Sequence, residues 1–398
     1  MTSMNKNKIS EILLVLCILD ILVFPYIRAL SCSLSMIIVM VWYLMNFKSV
    51  TLRKEMLFIV PLIVVSALSG FLIYDSKHGL STTVLVIYSL FLFHFVFLCY
   101  NEALKEFLSK VLFIYITIVF VFGIIYTVSA QTYFSIRSFW TLHDNEINFT
   151  SYLINRFVFI YSDPNNAACA LSAIYGYIMI CEKHTIWEYV YCIASVSISV
   201  ILTMSIQGVI SFLLISILIF ALVGDQYTMV KKVLSRVLII YLVLILFAGS
   251  IMVSNSFILQ RVLARLLSGN FSSMGGRLSF WRDTIISALS WENIFIGKGA
   301  VIDSIGREYL PHSGNLYLTI SYGLVVNVAY IKTMFVLPRG TRCKYYIILL
   351  PLMIIYTINT GVSDYRFITL MAVVSAIVQK EASYDYKRIE DLAAKLPH

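Results

Sequence analysis

Seven arginines and one histidine carry most of the chemistry that this sequence can do. The arginines are Arg137, Arg156, Arg261, Arg265, Arg277, Arg282 and Arg307, and the histidine is His312. A guanidinium is a planar, permanent cation whose five donors match phosphate oxygens. Several of them converging on a lipid pyrophosphate would neutralise it and stabilise it as a leaving group. His312 lies between Pro311 and Ser313, just before an apolar run. An imidazole with a pKa of about 6.5 can take a proton from a sugar hydroxyl at neutral pH. Plainer roles stay open. Any one of these arginines can sit against lipid headgroups or nearby carboxylates, and His312 can be a capping or hydrogen-bonded structural residue.

Other ionisable residues are weaker candidates. His143, Asp144 and Glu146 match no metal-ligand spacing and read as a solvated loop, so no metal or cofactor is expected. Asp20 and His94 fall inside apolar runs. Ionisable groups there mark a proton path, or they pair inside a helix bundle. The seven cysteines lie in or beside apolar runs without a CxxC pair, which implies no disulfide framework and no zinc or redox site. Many of the 26 tyrosines fall near the ends of apolar runs, where an aromatic belt is expected.

The elements that would hold these residues are membrane helices. The chain is 60% hydrophobic and 13% charged, with a mean hydropathy of +0.87, against roughly 45–50% and about 25% in soluble domains. One integral membrane domain over residues 1–398 follows, all-α and polytopic. A span needs about 20 apolar residues, which predicts about twelve. They are Ile9–Ile27, Leu30–Phe47, Met56–Ile73, Thr82–Cys99, Val111–Val128, Asn166–Ile180, Trp187–Met204, Ile206–Val223, Val237–Val253, Leu316–Thr333, Tyr345–Asn359 and Phe367–Gln379. The first is read as a retained span, not a cleaved signal peptide. Around Ser205–Gln207 a tight turn and a broken helix fit equally well.

Charge orients the chain. With both termini cytoplasmic, nineteen of the 30 basic residues fall in inner segments. The short outer turns hold only Arg28, Lys77 and Arg366. The net charge of +9 therefore reads as topology, without a nucleic-acid module. The other eight basic residues lie in two long periplasmic loops, about 129–165 and 254–315. Long loops translocate largely regardless of charge, so these eight call for another explanation. The first loop ends in Asp163-Pro164-Asn165-Asn166, a turn and helix-start signal in which the Asn side chains can cap. In the second, Phe257–Leu267 has apolar residues at helical spacing with Arg261 and Arg265 on one face, as in a surface amphipathic helix. Residues 381–398 read as a fraying, charged cytoplasmic tail.

Three stretches together resemble the O-antigen polymerase and ligase superfamily of bacterial inner-membrane proteins. The first is Arg156 followed by Asp163-Pro164-Asn165-Asn166-Ala167. The second is Gly276-Arg277 and Trp281, followed by Phe295-Ile296-Gly297-Lys298-Gly299. The third is His312-Ser313 with Gly323 downstream. The likeness covers topology along the whole chain and motifs from Arg156 to Gly323. The chain departs from the family at Thr203–Gln207, where relatives often carry Ser-Arg, and at Val326, which leans away from a ligase.

The resemblance implies a metal-independent, inverting glycosyltransferase at the periplasmic face of the inner membrane. Its substrates would be glycans on undecaprenyl pyrophosphate. His312 would deprotonate the acceptor hydroxyl, and Arg277 and Arg156 would hold the pyrophosphate with help from Arg261, Arg265 or Arg282. Asn166 would lie in the same substrate-binding set. Polymerisation of O-antigen repeat units comes first among the readings. Ligation of the glycan to lipid A–core comes second, and a flippase or transporter is the alternative from another class. Membrane lipids and a chain-length regulator protein are the further partners expected.

Overall fold

The computed structural model describes residues 3–23, 33–138, 156–181, 185–222, 295–301, 313–338, 341, 343–359 and 361–393. Helix makes up 84% of the described residues, and no strand occurs among them. The helices are α1 (Ser3–Leu22), α2 (Leu34–Asn46), α3 (Lys54–Tyr74), α4 (Lys77–Cys99), α5 (Ala103–Val128), α6 (Ala130–Arg137), α7 (Pro164–Cys181), α8 (Ile186–Leu202) and α9 (Ile206–Leu222). After them come α10 (Gly314–Tyr322), α11 (Leu324–Phe335), α12 (Lys344–Ile358), a 3-10 turn (Gly361–Ser363) and α13 (Tyr365–Ala393).

Among the described residues three helices are long and apolar enough to cross a membrane: α3, α4 over Gly79–Cys99, and α5. At 1.5 Å per residue, a 21-residue helix covers the ~30 Å hydrocarbon core. α2, α8, α9, α11 and α12 are apolar but shorter.

The chain forms two compact units, residues 1–104, 273–342 and 352–398 in the first and 105–272 with 343–351 in the second. In the first, α4 packs on α13, α3, α1 and α2. Its Leu90, Leu92, Phe93, Phe95 and Val96 are fully buried. In the second, α7 packs on α9 and α8 and is buried along almost its whole length. Small residues permit this: Ala167, Ala168, Ala170 and Ala173 let neighbouring backbones approach closely. A Cβ on Gly208 of α9 would overlap the Ala168 Cβ.

Two expectations change. The single span over Leu316–Thr333 is two helices, α10 and α11, because Gly323 at φ 99° ends one and starts the other. Helix α13 continues past Gln379 through Ala393 where a fraying tail was expected. Buried groups hold it there: the Gln379 amide donates to the Thr333 carbonyl at 2.7 Å, and the Tyr100 hydroxyl donates to Glu381 Oε1 at 2.6 Å.

Asp75 closes α3 in the left-handed region, at φ 50°, with its amide on the Phe71 carbonyl and its side chain exposed. Glycine adopts that conformation without the Cβ penalty. Relief of a left-handed penalty of about 1–2 kcal/mol outweighs glycine's entropic cost of about 0.5–1 kcal/mol, so Asp75→Gly should give a higher midpoint in thermal unfolding in detergent. A lower midpoint would show that the Asp75 side chain contributes more than its backbone costs.

Candidate functional site

Of the residues expected to bind substrate, the structure describes Arg156 and Asn166. Arg261, Arg265, Arg277, Arg282, Arg307 and His312 lie outside the described residues, as do His143, Asp144 and Glu146.

In the second unit the chain from Arg156 to Asp163 is irregular, and from Arg156 to Tyr161 it is buried; Phe157, Val158, Phe159, Ile160 and Tyr161 are all 5% exposed or less. Buried backbone must find hydrogen-bond partners. Two arginines and a tyrosine supply them. Arg137 donates from Nε to the Phe159 carbonyl at 2.9 Å and from Nη2 to the Tyr161 carbonyl at 3.0 Å. The Tyr133 hydroxyl accepts from the Phe159 and Val158 amides at 2.8 and 3.3 Å. Burial pushes that hydroxyl up to about 12, so it stays protonated.

Arg156 donates from Nε to the Thr203 carbonyl at 2.9 Å and from Nη2 to the Met204 carbonyl at 3.1 Å. Burial lowers its pKa to about 10 while Asp163 and Tyr126 pull it back up, so it remains a cation at neutral pH. The fork closes the α8–α9 turn, where Met204 sits at φ 52°. The ambiguity at Ser205–Gln207 thus resolves as a tight turn. The roles weighed for these two arginines were phosphate, headgroup or carboxylate contact. Both donate to main-chain carbonyls, and Arg156 has the charge of Asp163 nearby as well.

The same turn is tied to the start of α7. Ser205 Oγ donates to Asn165 Oδ1 at 2.7 Å and accepts from the Gly208 amide at 2.9 Å. Pro164 opens α7 as the sequence suggests, but the side chain that caps it is Asp163, whose Oδ1 takes the Asn165 amide at 2.7 Å. Asn166 is buried in the first turn of α7.

In the first unit the Gly297–Gly299 stretch is stitched to the end of α10. The Lys298 and Gly299 amides each donate at 2.8 Å, to the Ile320 and Ser321 carbonyls. The Gly297 amide donates to Ser66 Oγ of α3 at 3.2 Å. Between two buried glycines the Lys298 side chain is exposed, and it makes no ion pair among the described residues. At the other end of α10, Ser313 is the N-cap, its Oγ taking the Leu316 amide at 3.3 Å. Seven to eight residues at 1.5 Å each put these two ends roughly 11 Å apart.

Asn327, which the sequence reading passed over, bridges the break at Gly323. Its Nδ2 donates to the Asn315 carbonyl at 3.2 Å and to Thr319 Oγ1 at 2.9 Å, and its Oδ1 accepts from the Tyr356 hydroxyl at 2.6 Å. The signal for it was a polar residue four positions past a glycine inside an apolar run. Asp20 and His94 take the bundle-pairing alternative. Asp20 Oδ2 accepts from the Ser35 amide at 2.8 Å, and His94 Nδ1 is 2.7 Å from the Tyr43 hydroxyl. Compared with family models, with characterised proteins and with solved structures, the chain matches none.

Proposed function

We propose that this chain is an O-antigen polymerase, a glycosyltransferase of the bacterial inner membrane with about twelve spans and both termini in the cytoplasm. It joins undecaprenyl-pyrophosphate-linked repeat units at the periplasmic face. In this reading His312 removes the proton from the acceptor hydroxyl. The acceptor oxygen bonds to the anomeric carbon from the face opposite the leaving group, the bond to undecaprenyl pyrophosphate breaks, and the configuration inverts. Arg277 stabilises the departing pyrophosphate, and Arg261, Arg265 and Arg282 are the further candidates for it. Arg156 acts as a positioning residue within its own unit through the turn that it closes.

The observation that carries the reading is the order and spacing of the three motif stretches. Support comes from the build of their described parts. Asp163–Asn166, Gly297–Gly299 and Ser313 are hydrogen-bonded helix junctions, which is the rigid support that a catalytic constellation needs.

The test is a lipopolysaccharide gel. A strain lacking the protein should show core with one repeat unit and no ladder, and His312→Ala or Arg277→Ala should reproduce that pattern with protein level unchanged. Bare core with long polymer stranded on undecaprenyl pyrophosphate would mean a ligase. Single units trapped on the cytoplasmic side would mean a flippase, and a wild-type ladder in either variant sinks the residue assignment.

A further inference from the structure

A cavity of about 670 Å³ opens in the first unit between the C-terminal ends of α2 and α4 and the middle stretches of α1 and α13. Small-ligand sites run from about 300 to 1,000 Å³. Nothing in the glycosyl-transfer reading uses this one. Its walls include Glu11, Trp42, Asn46, Asn101, Lys380 and Tyr384.

Two opposite charges share the cavity without meeting. Glu11 is half-buried, and its Oε1 accepts from Asn101 Nδ2 at 2.7 Å. Lys380 is half-buried too, its Nζ lying 4.8 Å from the centroid of the Phe97 ring and 5.7 Å from that of Tyr384. Neither makes an ion pair among the described residues. Burial, and then the charges of Lys387 and Arg53, lower the Lys380 pKa against a smaller opposing influence of Cys99. A half-buried charge with no opposite charge to meet it is costly. One ligand offsets both costs if it carries an anion and a cation on one short frame.

The surface beside the cavity is apolar. Leu98 lines the cavity and is 44% exposed, and Leu44, Met45 and Phe47 at the end of α2 are exposed as well. A polar cleft that opens onto an apolar flank fits an amphiphile, its head inside and its chains outside.

We propose that this cavity binds the headgroup of a zwitterionic phospholipid, with its phosphodiester on the Lys380 ammonium and its primary ammonium on the Glu11 carboxylate. The site is independent of the glycosyl-transfer reading, so either can fail alone.

The experiment is native mass spectrometry of the purified full-length protein titrated with short-chain phosphatidylethanolamine, phosphatidylglycerol and phosphatidylcholine, and with soluble phosphoethanolamine. Phosphatidylglycerol lacks the ammonium, and phosphatidylcholine lacks its N–H donors. Phosphatidylethanolamine should bind about tenfold more tightly than either, the worth of one charge-assisted contact. Glu11→Gln should remove that margin, Lys380→Gln should weaken all three lipids alike by losing the phosphodiester contact, and the double swap Glu11→Lys with Lys380→Glu should recover part of the phosphatidylethanolamine preference. Equal binding of the three lipids, or a neutral Glu11→Gln, overturns the zwitterion. Phosphoethanolamine bound as tightly as the lipid overturns the lipid as its source. The comparison among lipids uses the unmodified protein and holds even where a variant fails to fold.

Discussion

Gly299→Ala should abolish accumulation of the folded protein. Gly299 lies at φ 72°, a region where a Cβ costs about 1–2 kcal/mol before any contact is counted. The added Cβ would overlap the Ser66 carbonyl oxygen and lie 2.7 Å from both the N and the Cα of Gly70. Those atoms are backbone of α3, a helix long enough to span the membrane, and they cannot swing aside as a side chain would. The approach is mutual, because a Cβ on Gly70 would lie 2.7 Å from the Gly299 Cα. Gly176→Ala is the control: its Cβ would meet the Ile348 Cα at 3.5 Å, an ordinary contact, within a helix that favours alanine over glycine. Size-exclusion profiles of fluorescent fusions should show the first variant aggregated or missing and the second as wild type. A monodisperse Gly299→Ala at normal level would mean that Gly297–Val301 is not lodged against α3.

This junction shows where sequence reading reaches and where it stops. Apolar runs have a direct physical cause, the solvent that they must match, so α3, α4 and α5 stand where the hydropathy places them. The start of α7 was legible for a local reason, since proline belongs in the first helical turn. Hydropathy is blind to a break inside one apolar run. Leu316–Thr333 reads as continuous grease, and Gly323 divides it. It is blind as well to a polar tail made helical by tertiary partners, as Gln379 and Glu381 make α13.

The arginines teach a different lesson. In the sequence an arginine in an outer loop looks like an anion site, because its obvious partners are charged. Arg137 and Arg156 donate to carbonyls of buried irregular backbone, Arg156 with the Asp163 charge nearby. Such carbonyls leave no mark in a sequence, since every residue has one. The third of the motif stretches is only partly within the described residues: Ser313 and Gly323 lie inside them and His312 outside.

Arg156 is therefore where charge and shape can be separated. Arg156→Ala removes two donors from the Thr203 and Met204 carbonyls in a turn where Thr203 is fully buried. A buried carbonyl left without its donor costs about 1–3 kcal/mol, here twice over, and α7 shares the damage through the Ser205–Asn165 bond. Arg156→Lys decides between the two roles. Lysine keeps the charge but is a point donor that cannot serve two adjacent carbonyls as a planar fork does. If Arg156 closes the turn, both variants should unfold at lower temperature than wild type, and hydrogen exchange over 203–208 should accelerate in each. Polymer should then fall with the amount of folded protein. If charge toward a phosphate were its main task, Arg156→Lys would keep the fold and part of the polymer while Arg156→Ala kept the fold and made none. The two carbonyl bonds, at 2.9 and 3.1 Å, favour the first outcome.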